Sequence, residues 1–150
     1  MTRRLIEDRT IIESIIRQAT VCRIGLSDGG QPYVVPVCFG YEDGALYFHS
    51  SPQGKKMDVL RQNSAVCVEF DVDQELVEAD SACKWGIKYR SVIGFGKARI
   101  VEDLEDKRRA LDIIMAHYGG QPDDYAEATL KKTAIVRVEI ARMTARVVGY

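Results

Sequence analysis

Residues 36–63 read PVCFGYEDGALYFHSSPQGKKMDVLRQN, and this stretch decides the fold reading. An apolar strand enters a tight Glu42-Asp43-Gly44 turn and returns as a second strand, ALYFHSS. That strand ends in His49, Ser50 and Ser51; a Pro-Gln-Gly turn follows, then Lys55 and Lys56 at the head of a short helix over 54–63. Hydroxyls, amides freed by the turn at Gly54, a helix N-terminus and two ammonium groups thus fall close together. A phosphate dianion is held by such groups. Two cations are electrostatically misplaced at a helix start unless an anion sits there. Lys55 and Lys56 are therefore read as phosphate contacts rather than as a solvated first turn.

Working outward, the same hairpin grammar repeats. Upstream, Asp8 precedes a run in which Ile11, Ile12, Ile15, Ile16 and Ala19 recur at helical spacing, which predicts an amphipathic helix. Val21–Leu26 then alternates, and SDGG at 27–30 is a hairpin turn. Pro32 and Pro36 interrupt the extended run from Gln31 to Tyr41. Neither can donate to a ladder, so this strand belongs at an edge, a bulge or a bend. Downstream, Ala65–Phe70 alternates, and Tyr89–Val101 is a long strand with Val92, Gly94, Gly96, Ala98 and Ile100 on one face. Asp103 caps a helix from Leu104 to Tyr118 whose apolar face is Leu104, Ala110, Leu111, Ile114, Met115 and Tyr118. The charged cluster at its start, Glu102 to Arg109, reads as solvated with i,i+4 pairing. Thr133–Ile140 alternates with Arg137 and Glu139 outward, and Met143–Val148 adds a further strand. Six or seven antiparallel strands with helices set between them make a small β-barrel with flanking helices.

Composition narrows the class. The chain has 150 residues, a length that fits one domain with one core. A net charge of -1 disfavours a general nucleic-acid binder. No apolar run approaches the roughly 20 residues of a membrane helix. The N-terminus turns charged too early for a secretory signal. Cys22, Cys38, Cys67 and Cys83 form no CxxC pair and read as small buried hydrophobes in a reducing cytoplasm. No GxSxG, HExxH or paired-His motif occurs, so neither a serine hydrolase nor a metal site is expected. Gly94-Phe95-Gly96 lacks the third glycine of a dinucleotide fingerprint, and tight packing explains it better.

Taken in order, the hairpin with His-Ser and Gly-Lys-Lys, VLRQNSAVCVEF, the Tyr89-Arg90-Ser91-Val92 strand entry, the Glu-Asp-Lys helix ending His-Tyr, and AIVRVEIARMTAR resemble the FMN-binding split-barrel proteins. Within them the chain most resembles the branch related to nitroimidazole-resistance proteins. The resemblance spans about residues 8 to 148. It implies a homodimer of split barrels with FMN held non-covalently in grooves between subunits. By motif, His49, Ser50, Ser51 and Gly54 with Lys55 and Lys56 surround the ribityl phosphate; Pro36, Val37 and Cys38 run past the flavin ring. Tyr89, Arg90 and Ser91 sit at the groove edge, contributed by either subunit. The implied activity is oxidoreduction: a donor such as NADH or NADPH reduces the flavin, and a small nitro compound or quinone accepts the electrons. The chain ends at RVVGY without the basic and aromatic extension that serves vitamin B6 oxidation, so that activity is not expected.

Two other readings stay open. One is a non-catalytic flavin-binding module. The other is a haem-binding member of the same fold, with His49 or His117 as axial ligand. Read from the residues alone, His49 is a ligand contact rather than an acid or base, and His117 closes a helix. Trp85, in a polar loop, covers the flavin, a neighbouring subunit or only a surface patch.

Overall fold

The computed structural model describes residues 1–150, and its eight strands join in one antiparallel sheet. After a short β1 (Arg3–Ile6), helix α1 (Arg9–Gln18) begins where Asp8 accepts a hydrogen bond from the Ile11 N–H. Most of the predicted stripe is its buried face: Ile12, Ile15, Ile16 and Ala19 are at most 2% exposed, whereas Ile11 turns out to solvent. Hairpin β2 (Cys22–Asp28) and β3 (Gln31–Val37) follows, then β4 (Gly40–Glu42) and β5 (Ala45–Ser50) around the EDG turn. Next come α2 (Lys55–Gln62), β6 (Ala65–Val77) and β7 (Gly86–Val101), then α3 (Leu104–His117), α4 (Glu127–Lys132) and β8 (Ala134–Val148).

The strand order is β3-β2-β6-β7-β8-β5-β4, with β1 paired to β8. The two ends of this path, β3 and β4, do not pair, so the sheet curls into an open split barrel rather than a closed one. β3 is the edge strand that Pro32 and Pro36 demanded. Inward residues of every long strand meet Ile12, Ile15 and Ile16 in the main core, with Phe39, Phe48 and Phe70 fully buried. The small-residue face of β7 has its physical reason here. A Cβ at Gly94 would press on Val68 and Ile140 at 3.0 Å, and one at Gly96 would strike the Glu139 carbonyl oxygen, so β8 lies this close to β7 only where the side chain is missing. A second, smaller core lies outside the barrel, where α3 covers Ala45 and Tyr47 of β5, Val101 of β7 and Ile135 of β8.

Several expectations change. There are eight strands: the Gln31–Tyr41 run divides into β3 and β4, and β1, which has no apolar alternation of its own, gains its place through pairing with residues 145–148 of β8. β8 is one strand through Val148, bent at an irregularity opposite Phe95 and Gly96. Helix α3 is rotated from its predicted face: Ile113 is buried, whereas Met115 and Tyr118 are exposed. Lys107, read as solvated, is only 9% exposed. Its Nζ donates to the Leu130 and Thr133 carbonyls at 2.8 and 2.9 Å, at the C-terminal end of α4, where a cation is favoured. That helix was not anticipated, and without it the lysine had no visible reason to be buried. Among the cysteines, Cys22 is buried as expected and Cys67 half-buried, but Cys38 and Cys83 are exposed; all four are free thiols.

Candidate functional site

Strand β5 leaves the sheet after Ser50, whose partner is Ala134, because Pro52 has no N–H to extend the ladder. The loop is then tied down locally. Ser51 Oγ accepts from the Gln53 N–H at 3.4 Å, and Arg61 donates to the Pro52 carbonyl at 2.9 Å. Gly54 begins α2 with φ 118°, a conformation that side chains rarely adopt, and no side chain caps the helix. Its first intrahelical bond runs from the Asp58 N–H to the Gly54 carbonyl, so the amides of Lys55, Lys56 and Met57 have no partner within the helix. The space a Cβ at Gly54 would enter is open to 4 Å. Free amides, an open glycine and two lysines at one bend suit an oxyanion, and the residues present fit the phosphate end of a flavin nucleotide.

The lysines are placed by the neighbouring hairpin. Lys55 Nζ lies 4.5 Å from the Tyr33 ring centroid on β3 and 3.9 Å from Asp28 Oδ2 on β2. Lys56 Nζ stands 5.7 Å from the Phe48 ring centroid. Asp28 and Tyr33 therefore belong to this neighbourhood, although nothing local in their sequence marks them; only the β2–β3 register brings them to α2. Pro36 lies three residues beyond Tyr33 on the same edge strand, about 10 Å further along. Pro36 is exposed, Val37 is buried in the core, and Cys38 is exposed just past the strand end.

Other singled-out residues are not brought together in one chain. His49 pairs across β8 with Ile135, which itself faces Val101, whereas Tyr89 faces Val148. Tyr89, Arg90 and Ser91 thus lie at the opposite end of β7, about 40 Å along the strand. Arg90 is held there by an ion pair with Asp73 and by stacking 4.2 Å from the Tyr150 ring. His49 is exposed on the face that also carries Tyr47, the opposite face from Phe48 and Ser50. His117, the last residue of α3, has Nε2 2.6 Å from the Ala19 carbonyl and its ring 4.2 Å from Phe39. Beside it, Tyr118 Oη donates to the Thr20 carbonyl and accepts from the Phe39 N–H. The pair pins α3 to the segments entering β2 and β4. Trp85 is exposed and donates to the Ala79 carbonyl at 2.6 Å within its own loop.

Outside the barrel, the register builds a continuous face. One row runs Val34, Gly25, Cys67, Phe95, Arg142, and the next runs Pro36, Arg23, Glu69, Ile93, Thr144. Val34, Ile93 and Phe95 are 61%, 44% and 45% exposed, and Leu5 on β1 extends the apolar surface. Arg23 bridges Glu69 and Asp71 at 3.4 and 2.8 Å. Burial, more than the neighbouring Asp71, pushes the Glu69 carboxyl above its ordinary range.

An open antiparallel split barrel with a glycine bend leading from β5 into α2 defines the class. The chain belongs to the pyridoxamine 5'-phosphate oxidase family, whose model matches residues 8–147. A candidate 5-nitroimidazole antibiotic resistance protein from Bacteroides thetaiotaomicron is 40% identical, over 97% of this chain and 87% of that one, with a TM-score of 0.87. A FAD-binding protein from Mesorhizobium loti is 24% identical over 97% and 98% of the two chains, with a TM-score of 0.71. A FAD and haem binding protein from Mycobacterium smegmatis is 18% identical over 97% and 74%, with a TM-score of 0.88; these last two likenesses concern the fold. No curated protein sequence matches. No helix is long and apolar enough to cross a membrane.

Proposed function

We propose that this chain binds FMN as a homodimer and serves as a flavin-dependent oxidoreductase for a small electron-poor acceptor of the nitro or quinone type. The observation that carries the reading is the first turn of α2: three backbone amides without helical partners, an open glycine and two lysines at one bend. Membership in the family and the 40% identity to the Bacteroides protein support the same reading.

Each group has a task. The α2 amides and Ser51 donate to phosphate oxygens, while Lys55 and Lys56 neutralise charge. Asp28 holds Lys55 near the bend until an anion takes over the contact. The edge of β3 from Tyr33 to Pro36 offers a flat, partly apolar border of about the right length for the remainder of the cofactor. When bound, the flavin supplies the redox chemistry, and the protein orients it and limits solvent access. Two arguments favour the dimer. Tyr89–Ser91 reach the α2 bend only if a second copy supplies them, and the outer face around Val34, Ile93 and Phe95 is apolar enough to be covered.

Purified protein should show flavin absorbance and release a molecule with the mass of FMN on denaturation. Consumption of NADH or NADPH with nitroaromatic and quinone acceptors should follow. A protein that binds FMN without turnover is the non-catalytic module; one that stays colourless on FMN titration refutes the cofactor.

A further inference from the structure

A second cationic cluster lies under α3, and the flavin reading does not use it. Tyr47 on β5 stands opposite Arg137 on β8, which stands opposite Arg99 on β7. With Val101 and with Asp106, Arg109 and Ala110 of α3, these three residues line a cavity of about 70 Å³. One water needs about 10–15 Å³, so the space admits a group of roughly five heavy atoms. None of Ser50, Ser51, Gly54, Lys55 or Lys56 is among its walls.

Two independent features are unexplained by the fold alone. Arg99 and Arg137 face each other directly across a ladder, at the spacing where like charges destabilise a sheet. The Arg137 Nε is also the one buried side-chain nitrogen or oxygen in the chain without a hydrogen-bond partner, and such an atom in a native structure calls for a partner. Existing contacts do not answer this. Arg137 Nη1 donates to Tyr47 Oη at 2.7 Å, and its Nη2 lies 3.8 Å from Glu139 Oε2. Arg109 pairs with Glu42 at 2.8 Å, whereas Arg99 has no carboxylate partner. With Arg109 paired to Glu42 and Arg137 only 3.8 Å from Glu139, Arg99 is the guanidinium of the lining that no carboxylate neutralises, and Asp106 is the one carboxylate among the walls.

We propose that this cavity is a second anion site, built for a phosphate-sized oxyanion that is either free or the end of a phosphomonoester. The anion accepts from Arg99 and from the Arg137 guanidinium, whose buried Nε reaches the cavity only after a small turn of the side chain, and it screens their mutual repulsion. The proposal goes beyond the flavin reading and stands without it.

The test is calorimetric titration of the full chain with inorganic phosphate, then methyl phosphate, at constant ionic strength. Wild type should bind saturably. Arg99→Gln should weaken binding about tenfold or more, as the loss of one charge-assisted hydrogen bond requires. Arg137→Gln should do the same, while the Lys55→Ala, Lys56→Ala double variant should keep the site. Arg99 is exposed and unpaired, so its variant folds even if Arg137→Gln does not. In phosphate-free buffer Arg99→Gln should melt at or above wild type, because a repulsion is gone; with phosphate the order should reverse. Methyl phosphate binding alongside phosphate assigns a monoester end, and its rejection assigns a free ion. Absence of saturable binding, equal affinity in Arg99→Gln and wild type, or loss only in the double lysine variant overturns the proposal.

Discussion

Removing both ammonium groups from the α2 bend should separate the phosphate from the rest of the cofactor. Two unit charges about 4 Å apart interact by about 1 kcal/mol in water and about 4 kcal/mol at an effective dielectric of 20. Lys55 is 57% exposed and already lies 3.9 Å from Asp28, so its contribution belongs near the lower figure. Lys56 is half-buried beside Phe48 and counts for somewhat more. Together they are worth about 2–3 kcal/mol toward a dianion, which is roughly a 30- to 140-fold loss of FMN affinity in Lys55→Ala, Lys56→Ala. Riboflavin lacks the phosphate and should bind both proteins alike. Quenching of flavin fluorescence on titration measures both constants. Salt supplies an internal control: near 1 M the screening length falls to about 3 Å, and the FMN preference of wild type should shrink toward that of the variant. Equal losses for FMN and riboflavin would show that the lysines shape the loop and do not hold phosphate.

Three further outcomes follow from the packing. Lys107→Ala leaves the Leu130 and Thr133 carbonyls without their donor in a buried place, which should cost about 2–4 kcal/mol and lower the melting temperature by roughly 5–15 °C; a change under a degree would refute the capping role. Glu13 accepts from Arg9, Arg17 and Tyr41, and the Arg9 hydrogen bond in the main holds its carboxyl below the ordinary value of 4.5. Its contribution is therefore complete above pH 4.5 and is lost as pH falls through the lower folded value, so Glu13→Gln should flatten the acid limb of a stability–pH curve without shifting the alkaline limb. Thiol labelling should modify Cys38 and Cys83 quickly and Cys67 slowly. Cys22 should stay unlabelled until unfolding, since burial removes access and pushes its thiol up to about 12. Bound FMN should slow Cys38 selectively, and labelling of Cys38 at an unchanged rate would place the flavin ring elsewhere.

Much of the barrel was legible because its signals are local. Asp103 caps the helix it was expected to cap, and Asp8 caps the helical run it precedes. The prolines put Gln31–Val37 at a sheet edge, and the small residues of β7 marked a close approach. The order of motifs around His49-Ser50 and Gly54-Lys55-Lys56 was enough to reach the family. What escaped was set by partners distant in the chain. Lys107 is buried because α4 presents carbonyls to it, β1 exists because β8 offers an edge, and Asp28 and Tyr33 join Lys55 through a hairpin register.

The site divides along the same line. By itself the sequence determined the bend at Gly54 and the helix start at Lys55 and Lys56, because a glycine turn, hydroxyls and a helix start lie within a few consecutive residues and need only local geometry. Tertiary structure alone decided that Tyr89–Ser91 stand about 40 Å along β7 from that bend, and that Arg99 and Arg137 face each other beneath α3. Those relations depend on strand register, which the whole core sets at once and which no short stretch of sequence contains.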